Sequence, residues 1–339
     1  MTNYGGIIGL GVLFEYDITN NIFIKKVDFD VANKGWCPTG NLIEANNGKL
    51  YGMTSSGGSS LNYGVLFEFD PLTNIYEKKL NFEGNNGLRS CGSLINASNG
   101  KLYGLASSGG LMGWGALFEF DPIASIYSVK YSFHGNNGEH PYGDLIQTSD
   151  GKFYGMTQEG GTNNYGVLFE FDPATNIYSI KLNFDNSNSG CYPYGSLLQA
   201  SNGKLYGTTT RGGLDYYGVL FEYNLTNNIF IKKLDFNGNN GKEPQFSQLI
   251  ELYGTHSIKT ITKAESDYSI LPNPTTGKFV VKASDIKEIE ILNMNGKSII
   301  KLKPKNDQSI IDLSSQSKGI YFVKITTKEY VHTKKVVLE

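Results

Sequence analysis

Gly64-Val65-Leu66-Phe67-Glu68-Phe69-Asp70 decides the architecture, because the chain repeats it five times. The pattern G-[VA]-L-F-E-[FY]-[DN] begins at Gly11, Gly64, Gly115, Gly166 and Gly218, at spacings of 53, 51, 51 and 52 residues. A period near fifty signals a solenoid, a propeller or an array of small units. Within the string, Val65, Phe67 and Phe69 alternate with Leu66, so a strand here is apolar on both faces. A sheet of that kind needs a neighbour on each side.

Each unit resolves outward from this string into four short strands, a to d, which in the second copy fall at 41–45, 49–54, 65–70 and 75–82. Strands a and b are joined by Asn47-Gly48, with Asn99-Gly100, Asp150-Gly151 and Asn202-Gly203 in later copies. Those dipeptides suit the positive φ angles of tight hairpins. Strands c and d are joined through Asp70-Pro71, Asp121-Pro122 and Asp172-Pro173, where Asp bonds the backbone ahead and Pro presets φ. Strand d carries Lys25-Lys26, Lys78-Lys79 and Lys232-Lys233, as expected of an edge that must not pair with other edges.

Composition agrees. The 339 residues include 41 glycines, 22 tyrosines and 19 phenylalanines, which suits strands and turns rather than helices. With 39% hydrophobic residues there is material for a core. The net charge of −2 gives no footprint for nucleic acid, and no apolar run of 18 residues could form a membrane-spanning helix.

The predicted fold is all-β: a β-propeller of about five four-stranded blades over residues 1–254, then a small immunoglobulin-like β-sandwich. A β-solenoid fits less well, since its coils are shorter and lack hairpin turns. The fragment 248–254 looks like strands a and b with their turn deleted, and closure onto the opening c–d pair would complete a fifth blade. Residues 255–267 read as a polar linker and 268–339 as the second domain. Only three glycines lie beyond residue 254, and that segment holds 14 basic against 9 acidic residues, +5. The preceding part holds 16 against 23, −7. Met1 aligns with Met53, inside a strand b, and no basic-then-apolar leader opens the sequence. An N-terminally truncated product, or a start assigned too late, is the expectation.

Two resemblances follow. Asn202-Gly203-Lys204-Leu205-Tyr206-Gly207-Thr208 with Gly218-Val219-Leu220-Phe221-Glu222, and the equivalents in each copy, resembles the GloVer tandem repeat of bacterial surface proteins. That family supplies no catalytic residues to carry over. The tail is similar to the C-terminal sorting domain of type IX secretion in Bacteroidota. The matching pieces are Leu271-Pro272-Asn273-Pro274-Thr275-Thr276-Gly277, Ile289 to Lys297 with Asn295-Gly296, Ile311-Asp312-Leu313-Ser314, Lys318-Gly319-Ile320-Tyr321-Phe322-Val323, and Lys334-Lys335-Val336-Val337. The resemblance implies an immunoglobulin-like fold, docking on the type IX machinery, and secretion or attachment to the cell surface. Substrates of that route also need an N-terminal export signal.

The long b–c and d–a connections gather on one face of each meander, where binding is expected. Tyr63, Trp114, Tyr165 and Tyr217 precede the strand c glycine in four copies, with Leu10 in the first. They could stack on sugar rings or pack between blades. His134, Glu139 and His140 share one loop of one copy and fit no established ligand spacing, so no metal and no cofactor are expected. Glu15, Glu68, Glu119, Glu170 and Glu222 recur in strand c and are expected to bond neighbouring backbone. Cys37, Cys91 and Cys191 sit at non-equivalent positions, which leaves one bridge or free thiols open.

The leading expectation is a non-catalytic surface module that binds a glycan or protein ligand. A hydrolase is the second, with the non-repeating Glu159, Arg211 and Asp215 as its first suspects, and a purely structural array the third. Near-identical units argue against catalysis, which needs differentiated acid and base.

Overall fold

A computed structural model describes residues 1–245, 248–252, 268–294, 297–327 and 331–339. It divides into two compact units, Met1–Leu252 and Tyr253–Glu339. The expected linker, 255–267, lies outside the described residues. Among the described residues there is no α-helix, only one 3-10 turn at Gly135–Asn137.

The first compact unit is a series of antiparallel meanders. Unit 1 contributes only strands c and d, Val12–Asp17 and Ile22–Asp28. Unit 2 runs a to d through Trp36–Glu44, Leu50–Ser56, Val65–Asp70 and Ile75–Asn81. Units 3 to 5 keep the order a-b-c-d, but their a strands shrink to Ile95–Asn96, Ile146–Gln147 and Leu198–Gln199. Strand d is an edge in each four-stranded sheet.

Local chemistry explains the elements. Gly48 takes φ +74° in the a–b turn, and a Cβ there would meet nothing. Asp70 Oδ1 accepts from the amides of Leu72 and Thr73 at 2.8 and 3.2 Å, closing the c–d turn. Gly52 has a different purpose. It faces Phe67 across the b–c ladder, and an added Cβ would lie 2.6 Å from the phenyl ring. Gly104, Gly155 and Gly207 repeat that clearance beneath Phe118, Phe169 and Phe221. All five c–d pairs also carry a register shift one residue into strand c, between Leu66 and Phe67 in unit 2.

The two faces of strand c behave as the alternation requires. Val65, Phe67 and Phe69 join Leu13, Val27 and Phe29 of unit 1 in one core cluster. Leu66, on the other face, joins Leu94, Leu102, Phe118 and Phe120 of unit 3. Units 3 and 4, then 4 and 5, share further clusters built the same way. Each core therefore lies between consecutive sheets.

Two expectations are corrected. Residues 248–252 form no strand, so unit 1 is a two-stranded sheet that they do not complete into a fifth four-stranded blade. With the Asn-Gly turn missing, the fragment has nothing to reverse it into an a–b hairpin. Instead Glu251 accepts from Ser201 N and Oγ at 2.7 and 2.6 Å. Residues 253 and 254 lie outside the described set.

The recurring glutamates also differ from expectation, since their partners are side chains. Glu68 accepts from Tyr51 Oη at 2.5 Å and pairs with Lys49 at 2.5 Å and Lys79 at 3.5 Å. Glu119, Glu170 and Glu222 repeat the clamp with Tyr103, Tyr154 and Tyr206 and their flanking lysines. Adjacent strands offer their backbone groups to one another, so a long acid reaches across to side chains of b and d. Burial alone would raise the Glu68, Glu119 and Glu170 carboxyls, but the lysine and tyrosine bonds outweigh it and hold them below the usual range. Burial and the adjacent carboxylate push the Tyr51, Tyr103 and Tyr154 phenols up, so they stay protonated donors.

The second compact unit has two antiparallel sheets on one core. Lys278–Ala283 lies between Tyr268–Leu271 and Gln308–Asp312, and the other sheet runs Ser298–Leu302, Ile286–Asn293, Gly319–Thr327, Val331–Leu338. Ile270, Phe279, Val281 and Ile311 from the first meet Ile289, Ile291, Val323 and Val336 from the second. Glu288 and Glu290, out of phase with Ile289 and Ile291, pair with Lys301 and Lys324 at the surface.

Candidate binding face

The face carrying the b–c and d–a connections is assembled by two repeating contacts between units. First, the residue before each strand c glycine accepts a backbone hydrogen bond from the next unit's d–a connection. Tyr63 O accepts from Arg89 N, Trp114 O from His140 N, Tyr165 O from Tyr192 N and Tyr217 O from Glu243 N, at 3.4, 2.8, 3.0 and 2.8 Å. All four donors hold φ near +50°, a left-handed conformation uncommon outside glycine. Second, residues at or just before the a strands link one unit to the next. Asn41 N donates to Ser93 Oγ, Ser93 N to Asp144 Oδ1 and Asp144 N to Ser196 Oγ, at 3.0, 2.5 and 3.0 Å. The neighbouring glycines permit this approach: a Cβ on Gly40 would lie 2.5 Å from Gly92 O.

The predicted aromatic series sits at the first contact. Tyr63 and Tyr165 are half-buried against the core clusters. Trp114 stands edge-on to His140 at 5.4 Å, and Tyr165 edge-on to Tyr192 at 5.8 Å. Tyr217 and Trp114 remain exposed.

Further residues converge that the sequence reading had not gathered. A cavity of about 280 Å³ is lined by Gln158 and Glu159 of one b–c loop, Thr210 and Arg211 of the next, and Tyr192, Tyr194 and Gln245 of two d–a connections. Arg211 thus falls in the cavity, whereas Asp215 is exposed on its loop and is not among these lining residues. Tyr194 stacks on Tyr142 of the preceding unit with ring centroids 4.9 Å apart. The signal for Tyr142, Tyr194 and Gln245 is the recurring G-x-x-[PS]-x in the d–a connections, whose last position is in turn Thr39, Cys91, Tyr142, Tyr194 and Gln245.

The three cysteines are free. Burial pushes the Cys191 thiol up to about 11 and raises Cys91 as well, so neither is a thiolate at neutral pH.

In the second compact unit, the expected motif grips the last strand. Asn273 Nδ2 donates to Lys335 O and its Oδ1 accepts from Val337 N, at 2.8 and 3.0 Å. Thr275 N donates to Val337 O, and Glu339 N to Thr275 O. Pro272 and Pro274 flank this clasp, each after a cis peptide bond. Gly277 passes so close to Ser314 that a Cβ would lie 2.4 Å from its hydroxyl. Tyr321 is buried and donates to Ser317 O at 2.6 Å, and Gly319 opens the strand with φ +150°. Gly296 lies outside the described residues.

These features define an all-β repeat protein with an appended sandwich that carries its own C-terminal clasp. Residues 62–269 match the Gloeobacter/Verrucomicrobia repeat, and residues 269–339 match the secretion system C-terminal sorting domain. The chain belongs to the Gloeobacter/Verrucomicrobia repeat family. Its sorting domain marks it as an exported protein, secreted or displayed at the cell surface, and implies interaction with the type IX secretion machinery. Among the described residues no helix is long and apolar enough to cross a membrane. No curated protein matches the chain.

Among solved structures the chain is similar to the extracellular domain of the one component system BT4673 from B. thetaiotaomicron, at 12% identity, over 97% of this chain and 47% of that one, with a TM-score of 0.47. A second structure, of the extracellular domain of the hybrid two component system BT4673, gives 13% identity, 97% and 48% coverage and a TM-score of 0.47. TolB from Acinetobacter baumannii gives 12%, 88%, 62% and 0.40. The chain spans about half the length of the first two. At TM-scores below 0.5 these likenesses carry no argument.

Proposed function

We propose that the repeat region is a non-catalytic β-propeller whose blades share one axis, and that its loop face binds a carbohydrate at the cell surface. The sorting domain, read as an immunoglobulin-like sandwich, delivers it to the type IX machinery. Inter-unit cores on both faces of strand c and the links between units at the a strands support blades about an axis.

One observation carries the binding reading: the cavity is built by units 4 and 5 and the segment after unit 5, and Gln158, Glu159, Arg211 and Gln245 in its lining differ from their counterparts in the other copies. A volume of about 280 Å³ is near the roughly 300 Å³ lower end for small-molecule sites. Its chemistry suits a sugar. Tyrosine faces offer rigid apolar area with a polar tip, and Gln158, Gln245 and Arg211 offer planar donors for hydroxyls.

The test is a glycan array probed with the full chain, a Tyr194→Ala/Arg211→Ala variant, and a Tyr63/Trp114/Tyr165/Tyr217→Ala variant. The double variant is expected to lose binding at least tenfold. Binding unchanged in both variants would reject this face. Polysaccharide turnover abolished by Asp215→Asn would replace the non-catalytic reading with a hydrolase.

A further inference from the structure

Glu139 and His140 lie on the d–a connection entering unit 4, and Glu159 on the b–c loop of that unit. His140 Nδ1 is 2.9 Å from Ser107 O. A carbonyl only accepts, so Nδ1 carries a hydrogen and Nε2 is the ring nitrogen left to ligate. Glu139 and Glu159 are joined by reciprocal backbone bonds, Glu139 N to Glu159 O at 2.7 Å and Glu159 N to Glu139 O at 3.1 Å. Residues paired this way present their side chains on one side of the ladder. Among the described residues neither carboxylate takes part in an ion pair. One ligand atom from each of Glu139, His140 and Glu159 lies within 4.8 Å of the other two. All three residues are half-buried.

We propose that Glu139, His140 and Glu159 bind a divalent transition metal, with zinc the best fit. One imidazole nitrogen and two carboxylate oxygens suit that ion, and a cation relieves the repulsion of two acids held side by side. Bonds of ~2.0–2.1 Å need ligand atoms ~3.3 Å apart, which rotation of the two glutamate side chains supplies, with water completing the shell. Ser107 O is the outer partner that metal-bound histidines use to fix their orientation. His134 shares the sequence loop but is exposed and outside the cluster, because the turn at Gly135–Asn137 separates it from His140.

The experiment uses the full chain and ZnCl2 alone, so it fails or succeeds independently of any carbohydrate. Calorimetric titration is expected to give one ion per chain. His140→Ala and Glu159→Gln should each weaken binding at least tenfold, and His134→Ala should leave it unchanged. Trp114, 5.4 Å from the His140 ring, supplies a second readout. In a Trp36→Phe background, CuCl2 should quench its fluorescence saturably, and His140→Ala should abolish the saturable phase. No saturable zinc binding below roughly 1 mM, full affinity in both His140→Ala and Glu159→Gln, or equal loss in His134→Ala would each overturn the assignment.

Discussion

Units 1 and 3 carry nearly the same strand c, yet they hold it in different environments. Phe118 in unit 3 is fully buried and Glu119 is clamped by Tyr103, Lys101 and Lys130. In unit 1, Phe14 is only half-buried, Tyr16 is 49% exposed, and among the described residues Glu15 pairs with Lys26 alone. The cause is the neighbour. Among the described residues, the sheet of unit 1 has no strand b to supply a lysine and a tyrosine beside its strand c, and Phe14 belongs to no core cluster. The mirror deficit appears at unit 5, where Tyr206 is only half-buried and Leu234 is 39% exposed. A repeat of this kind owes its stability to interfaces, so an identical string is worth more in the middle than at an end.

Substitutions can break that comparison. The largest difference is expected between Phe118→Ala and Phe14→Ala: about 3–5 kcal/mol for the first, from lost burial plus a cavity, and about 1–2 kcal/mol for the second. Denaturant midpoints measure both, and equal costs would show that the inter-unit cores do not set stability. Next come Glu119→Gln and Glu15→Gln. The first removes the charge that Lys101 and Lys130 pair with and turns one of the two acceptor oxygens into a donor, and should cost about 1–3 kcal/mol, given that Lys101 is partly exposed. The second should cost less than about 0.5 kcal/mol.

The smallest effect is the pH dependence. The clamped carboxyls of Glu68, Glu119, Glu170 and Glu222 are held below their ordinary value of 4.5. A folded-state value below the unfolded one contributes stability that is present above pH 4.5 and lost as pH falls through the folded value. The melting temperature should be steady from pH 8 to 5 and decline below about 4.5. Glu119→Gln should flatten part of that decline.

Much of this was legible in the string itself. Alternation assigned Val65, Phe67 and Phe69 to one interface and Leu66 to the other, and Asn-Gly and Asp-Pro located the turns. The glutamates were visible as a series, but not their partners, since Tyr51 and Lys79 reach Glu68 from strands on either side. The cavity was half visible. Arg211 and Glu159 stood out as non-repeating, whereas Tyr142 and Tyr194 are ordinary tyrosines until two d–a connections stack them. Residues 248–252 misled, because a resemblance to two strands does not supply the turn that would pair them.

The sequence alone determined which segments are strands, which faces must be covered, and that the chain carries an export address at its C-terminus. Those are local or periodic properties, written wherever the pattern recurs. Which side chains meet was decided by tertiary structure: the Glu–Tyr–Lys clamp, the links between units from Asn41 to Ser196, and Glu159 brought beside Glu139 and His140. Such contacts join residues up to about fifty positions apart through backbone geometry, and a one-dimensional pattern does not record the distance between its own repeats.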